Sequence, residues 1–409
     1  MRILILSDNF PPSAPGGAER STFDLAQAFL KKGHKVFVIT ASQDKTLCGE
    51  STYEGLKVFR IYANYRSRWK AYLSLYNPQT VGKVKKLLQE IKPDIVSAQN
   101  IHYYLSYFSL RLARKYAKRV FFTARDMLTF SYGKMPAEQY MKRGHYKTSW
   151  LDHLKQAKKR YNPFRNIVIR HYLKYADKIF AISHSLKEVL RQNGIQNVEV
   201  IHNGISLETW RENLEETEKF KEKYRLQDKK AILFGGRLSD ELKGGEKIIQ
   251  AMEKVVKEVP EAVLLVAGKE GKSTKELLKF AQKLGIENNI IFTGWLDGEK
   301  LKASYFASDI VAVPSLYVTT FNRFNMEAMA AKKPVVGTCF GGATEIVKDQ
   351  ETGYMINPFD TELMAEKIID LLKNPQKAKQ FGEAGYLRVK EKFNLEEKAN
   401  EYLTYFEKI

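Results

Sequence analysis

The sequence runs to 409 residues with 44% hydrophobic and 12% aromatic side chains, the composition of a globular protein and more length than one ordinary core fills. The formal net charge is +20 and one-sided: residues 1–204 carry 35 Lys and Arg against 14 Asp and Glu, and residues 205–409 carry 32 against 33. No stretch approaches the roughly 18 apolar residues of a membrane span, and Cys48 and Cys339 lie in different halves, which predicts a reduced, cytoplasmic protein without a structural disulfide.

In chain order, the first apolar run is Ile3–Ser7; it stops before Asp8, too short for a secretory signal and right for a buried strand. Further β-branched runs follow at Lys35–Thr40, Asp94–Ala98, Val120–Thr123, Lys178–Ile182 and Val198–His202, with helical stretches between them. From Arg125 to Lys178 the alternation lapses into a basic stretch studded with Tyr132, Tyr140, Tyr146, Trp150, Tyr161, Phe164, Tyr172 and Tyr175. A structureless loop of that length is improbable, so short inserted helices are expected over 125–178. A charged helical segment, Leu214–Leu226, precedes a second set of runs at Ala231–Phe234, Ala262–Ala267, Ile290–Phe292, Ile310–Val313, Pro334–Gly337 and Tyr354–Ile356. Ile248, Ile249, Met252, Val255, Val256 and Val259 form an apolar stripe at helical spacing, stopped by Pro260. The tail Glu383–Ile409 has no strand after it and must bury Tyr386, Phe393, Tyr402, Tyr405 and Phe406. This pattern predicts an α/β protein of two Rossmann-like, doubly wound domains facing across a cleft. The domains are read as 1–204 and 205–385, with a final helical segment, 386–409, packing back on the first.

In open α/β sheets ligands bind beyond the carboxyl ends of the strands, where loops feed helix N-termini. After the first strand, Gly16-Gly17 opens an amphipathic helix, where backbone amides can approach an anion. In the second half Gly235-Gly236-Arg237 ends a strand, and Lys243-Gly244-Gly245 starts the striped helix. Arg237 and Lys243 together suit a diphosphate, which asks for two cations and amide donors. Glu327 sits in the helix around Phe324–Ala330, its carboxylate aimed back at the first turn, where it can accept from vicinal hydroxyls of a ribose. Gly271-Lys272-Ser273 lacks the first glycine of a phosphate-binding P-loop, Val266 standing in its place. No Gly-x-Gly-x-x-Gly follows the first strand of either half, which disfavours an oxidoreductase. No two aspartates are separated by a single residue and no His pair has metal spacing, so no metal cofactor is expected.

Taken together, these residues resemble glycosyltransferases of the large retaining family 4, which have the two-Rossmann GT-B fold. The resemblance rests on an ordered set: Gly16-Gly17-Ala18-Glu19-Arg20, Val200-Ile201-His202-Asn203-Gly204-Ile205, Gly236-Arg237-Leu238 with Lys243-Gly244, Phe292-Thr293-Gly294-Trp295-Leu296, Val313-Pro314-Ser315 and Glu327–Val336. It implies that Arg237 and Lys243 bind the donor diphosphate and Glu327 the ribose. It places Gly294, Trp295 and Leu296 against the base, and amides around Phe321, Asn322, Arg323 and Phe324 on the sugar and its phosphate. Gly16 and Gly17 would close over the diphosphate from the other domain. The donor would be a nucleoside-diphosphate sugar, and the acceptor a glycan or lipid-linked hydroxyl held by the N-terminal half.

Two positions depart from the family. A second glutamate usually stands where this chain has Thr319, and a His-Asp pair usually follows the fourth strand, where this chain has Arg125-Asp126. Both departures lie on the sugar side, which implies an unusual donor sugar with nucleotide binding intact. The competing readings are a weak or inactive GT-B scaffold that binds a polyanion or membrane, and a sugar-nucleotide epimerase. The basic, aromatic segment 125–178 suggests docking at an anionic membrane surface, peripheral to the inner face of the cell membrane. No nucleic-acid module is present, so nucleic acid is not an expected partner.

Overall fold

A computed structural model describes residues 1–12, 16–236, 240–269 and 271–408. It divides into two compact units: Met1–Lys134, Arg143–Gly204 and Leu395 onward form the first, and Met135–Lys142 with Ile205–Asn394 the second. The second unit thus runs on past residue 385, through the helix Pro375–Lys392. Among the described residues no helix is long and apolar enough to cross a membrane.

The first unit is built on strands β1 (Arg2–Leu6), β2 (Lys35–Ser42), β3 (Gly49–Tyr53), β4 (Leu56–Tyr62), β5 (Ile95–Ala98), β6 (Arg119–Ala124), β7 (Lys178–Ala181) and β8 (Val198–Val200). Their order is β3-β4-β2-β1-β5-β6-β7-β8, parallel throughout except for the antiparallel β3–β4 pair. Ile3, Leu4, Ile5 and Leu6 are all buried, as expected of a strand covered on both faces. Helix Gly17–Lys31 lies on one face, and the C-terminal helix Leu395–Glu407 packs beside it. The aromatic tail is buried here: Phe406 meets Phe29 and Phe121 at ring centroids of 5.6 and 4.8 Å, and Tyr402 meets Phe180 at 5.1 Å. The inserted segment forms short helices, of which Trp150–Ala157 and Arg165–Leu173 belong to this unit, whereas Ala137–Arg143 falls almost wholly in the second, so the insertion over 125–178 is shared between units.

The second unit carries β9 (Lys230–Gly235), β10 (Ala262–Ala267), β11 (Ile290–Gly294), β12 (Ile310–Val313), β13 (Val335–Thr338) and β14 (Gly353–Ile356) in the order β11-β10-β9-β12-β13-β14, all parallel. The striped helix, Gly245–Glu258, buries Ile248, Ile249, Met252 and Val255 in the core over this sheet. In both sheets the strand order reverses beside the first strand, between β1 and β5 and between β9 and β12. Connections leave these pairs in opposite directions, which opens a crevice at their carboxyl ends.

Candidate functional site

In the second unit the loops after β9 and β12 are knitted together at such a crevice. The amide of Leu316 donates to the Leu242 carbonyl at 2.8 Å, and that of Gly236 ties the end of β9 to the Ala267 carbonyl of β10 at 2.9 Å. Gly235 leaves no room for a side chain, because a Cβ would fall 2.9 Å from the Phe324 ring and from the Ala267 oxygen. Gly244 adopts φ +85° and abuts the Pro314 carbonyl, so the turn into helix Gly245–Glu258 tolerates only glycine. Among the described residues no side chain caps that helix, which leaves its first-turn amides open to an anion. The Lys243 ammonium lies over Gly236 and donates to the Tyr317 hydroxyl at 3.3 Å. Arg237 lies outside the described residues, as do Leu238 and Ser239.

Glu327 projects from the short helix Arg323–Ala330, whose N-terminus is capped by the Asn322 side chain accepting from the Phe324 amide at 3.1 Å. The Glu327 carboxylate is buried and already partnered: Oε2 accepts from the Tyr305 hydroxyl at 2.8 Å, and Oε1 from Arg323 Nε at 2.7 Å. Burial and the neighbouring carboxylate push the Tyr305 phenol far up, which keeps it a donor. The Tyr305 ring also packs on Phe324 at 4.9 Å. A continuous line of contacts therefore runs from Lys243 through Gly236, Gly235, Phe324 and Tyr305 to Glu327. Two side chains nearby in sequence, Ser315 and Asn325, are buried. Ser315 Oγ, Asn322 Nδ2 and both amide atoms of Asn325 have no hydrogen-bond partner among the described residues. Buried polar groups are normally satisfied, and only burial, which a single sequence does not display, sets these apart.

The remaining predicted donor residues occupy varied settings. Gly294 ends β11 with φ +74°, Trp295 is 44% exposed beside it, and Leu296 is buried. Phe321 is buried against Phe393, ring centroids 5.7 Å apart. The Thr319 hydroxyl donates to the Phe340 carbonyl at 2.9 Å and accepts from the Ala343 amide at 3.0 Å. It holds the turn after β13 to the loop after β12, a framework role in place of the glutamate expected at that position. That loop also takes in part of the N-terminal half of the sequence: Ala137 donates to the Leu316 carbonyl and Val318 to that of Met135, each at 2.9 Å.

In the first unit, Gly16 precedes helix Gly17–Lys31 and is covered by the Glu19 side chain, which a Cβ on Gly16 would strike. Arg125 is buried, Nε donating to Gln99 Oε1 at 3.0 Å and Nη1 to Asn203 Oδ1 at 2.5 Å. Asp126 accepts from the Leu128 amide at 2.8 Å, and His102 Nε2 lies 3.1 Å from its Oδ1. Burial would raise the Asp126 carboxyl, but the facing His102 and the amide hold it below the ordinary aspartate range. An imidazole thus stands beside Asp126 from a different loop, the one after β5. Its other nitrogen, Nδ1, lies 2.7 Å from the Tyr107 hydroxyl. Asp8, fully buried after β1, pins that loop by accepting from the amides of Tyr103, Tyr104 and Leu105 at 2.6, 2.8 and 2.8 Å. Burial nonetheless raises its carboxyl above the ordinary range, the three amides and His102 opposing it.

Comparison with known proteins fits one family profile to each part of the chain. The profile for glycosyl transferases group 1 matches residues 216–388, and that for Glycosyltransferase Family 4 matches residues 15–209. An uncharacterized glycosyltransferase of Methanocaldococcus jannaschii is 32% identical over 238 residues, 58% of this chain and 59% of that protein, so the match spans less than two thirds of that relative's length. A second one from the same organism is 27% identical over 373 residues, 89% of this chain and 87% of that protein. The structure of Anabaena HepE in complex with UDP and glucose superposes with a TM-score of 0.75 at 18% identity, covering 100% of both chains, a likeness of fold. With two parallel-sheet Rossmann-like units and these profiles in order along them, the chain has the GT-B fold and is similar to glycosyltransferases in both parts of its sequence.

Proposed function

We propose that this protein moves a sugar from a nucleoside-diphosphate sugar to a hydroxyl of a glycan or lipid-linked acceptor, with retention of the anomeric configuration. One observation carries the donor reading: Lys243, the open helix start at Gly244-Gly245 and Glu327 are joined by contacts at the carboxyl ends of β9 and β12. In this reading Lys243 and the amides of that helix start take the diphosphate, with Arg237 assigned beside them on sequence alone. Glu327, oriented by Arg323 and Tyr305, retains lone pairs for the ribose hydroxyls. Exposed Trp295 offers a face for the base, and the unpartnered amide of Asn325 and hydroxyl of Ser315 are further donors for phosphate or sugar. The sugar–phosphate bond ionises, the electron pair leaving with the diphosphate. The acceptor oxygen then attacks the same face, and its proton passes to the departing phosphate. The protein mainly has to stabilise the leaving diphosphate, a preorganised electrostatic task. The neighbour solved with UDP and glucose makes uridine sugars the first donors to try.

The first unit presents exposed apolar side chains on and just before its inserted helices, Trp150 at 62%, Phe164 at 68% and Ile167 at 58%, within the basic half of the sequence. That surface supports peripheral attachment to an anionic membrane.

The donor reading is tested with a panel of nucleotide sugars, released UDP or GDP being read by mass spectrometry beside Lys243→Ala and Arg237→Ala. At least one donor is turned over, and each substitution lowers the rate by about 10²–10³. Turnover that is indifferent to Lys243→Ala removes this assignment.

A further inference from the structure

Apart from the donor loops, the first unit contains a cavity of about 30 Å³ whose lining includes Lys70, Tyr103, Tyr132, Arg160 and Arg165. Its three cations come from separate segments: the start of helix Lys70–Leu73, the turn Lys158–Arg160, and the first residue of helix Arg165–Leu173. Arg165 is buried and held in place by neutral acceptors. Nη1 donates to the Ser131 carbonyl at 3.2 Å and to Asn166 Oδ1 at 2.9 Å, Nη2 donates to the Leu128 carbonyl, and the guanidinium stands 4.8 Å over the Tyr132 ring. The Lys70 ammonium sits 3.4 Å over the centre of the Tyr103 ring, and Arg160 Nε donates to the Ala157 carbonyl at 3.4 Å.

Among the described residues none of these three cations lies within ion-pair distance of a carboxylate. The two acids close enough to act on Lys70, Asp8 and Asp126, are engaged elsewhere, with backbone amides and with His102. Burial, and then Arg160, pull the Lys70 ammonium down to about 8 against the opposing attraction of Asp8 and Asp126. Collecting three cations around one small cavity is unfavourable in the empty protein and becomes favourable once a multivalent anion enters. Two guanidinium groups and an ammonium match a phosphate group, which accepts several charge-assisted hydrogen bonds at once.

We infer that this cavity binds a phosphate group of the acceptor, so that the protein glycosylates a phosphorylated molecule. That it is the acceptor's phosphate rests on the transferase reading above; that the cavity binds phosphate does not.

The full chain carrying Lys243→Ala, which disables the donor loops as a competing anion site, is titrated with inorganic phosphate and followed by ³¹P NMR. Lys70→Met and Arg160→Gln are then added singly, both at cavity-wall positions and both checked for an unchanged melting temperature. Saturable binding weakened at least tenfold by either substitution, about 1.4 kcal/mol, is the expected result. No binding, or binding indifferent to both substitutions, overturns the inference whatever the donor panel shows. Flotation with phosphatidylglycerol and phosphatidylcholine vesicles then separates the sources. A preference for phosphatidylglycerol that Lys70→Met abolishes assigns the phosphate to a lipid headgroup; flotation unaffected by Lys70→Met assigns it to a soluble phosphorylated acceptor.

Discussion

At Gly244 the chain takes a left-handed turn with its α-carbon facing the Pro314 carbonyl, and this single residue fixes where the Lys243 ammonium stands. Alanine in that conformation costs about 1–2 kcal/mol, and its methyl group would push the loop after β12 aside. Gly244→Ala is expected to lower the urea midpoint modestly and donor turnover strongly, because the lysine moves with the turn; normal turnover in the variant shows that this geometry is dispensable. The turn was legible in the sequence as a lysine and two glycines ahead of an apolar stripe. Glu327 was legible too, as an acid near the start of a helix. Its partner Tyr305 was not, since a contact made across tertiary packing leaves no local pattern. The same holds for His102: the sequence showed no imidazole at 125, and nothing in it told that one reaches Asp126 from another loop. Ser315 and Asn325 look like ordinary polar residues until burial without partners sets them apart.

The strands that were read from β-branched runs all form in parallel sheets, and all but the partly buried edge strands β8 and β11 are covered on both faces, so most of their side chains are apolar. The hairpin β3–β4 was missed for the converse reason. Residues 49–52 of β3 are exposed, and β4 places buried Arg60 where an apolar residue would have revealed alternation; that guanidinium donates to Ser51 Oγ at 2.7 Å and to the Pro11 carbonyl at 2.8 Å. Within the inserted segment, helix Trp150–Ala157 is started by a reciprocal cap between Ser149 and Asp152. Asp152 also accepts from both terminal nitrogens of Arg143, at 2.6 and 3.0 Å. The Arg143 bonds foremost, and then those from Ser149, hold its carboxyl far below the ordinary range. A depressed carboxyl stabilises the fold above its unfolded value of about 3.9 and loses that contribution as pH falls toward the folded value. Asp152→Asn is therefore expected to lower the urea midpoint at pH 7 and to differ less and less from the parent as pH drops below about 4. A gap that stays constant down to pH 2 shows that the ionised carboxylate contributes nothing.

At the scale of the whole molecule the chain passes between its units after Lys134, Lys142, Gly204 and Asn394. The last passage gives the first unit its closing helix, and the aromatic tail in the sequence called for such burial without showing on which rings it would land. Tyr402, Leu403 and Phe406 are buried in one cluster with Phe29, Phe121 and Phe180, the side chains of the first sheet and its covering helix. A core centred on rings from both chain ends ties the first unit's stability to residues at the far end of the sequence. The second unit buries its own separate set around Ile248, Met252 and Leu264. Phe406→Ala removes a fully buried ring, which typically costs about 3–5 kcal/mol. The loss should fall on the first unit alone. In native-state hydrogen exchange, peptides spanning β1, β6 and β7 are expected to lose protection, while those spanning β9, β10 and β12 keep theirs. An equal loss in both sets shows that the two cores unfold as one cooperative block, and the division into units then describes packing but not stability.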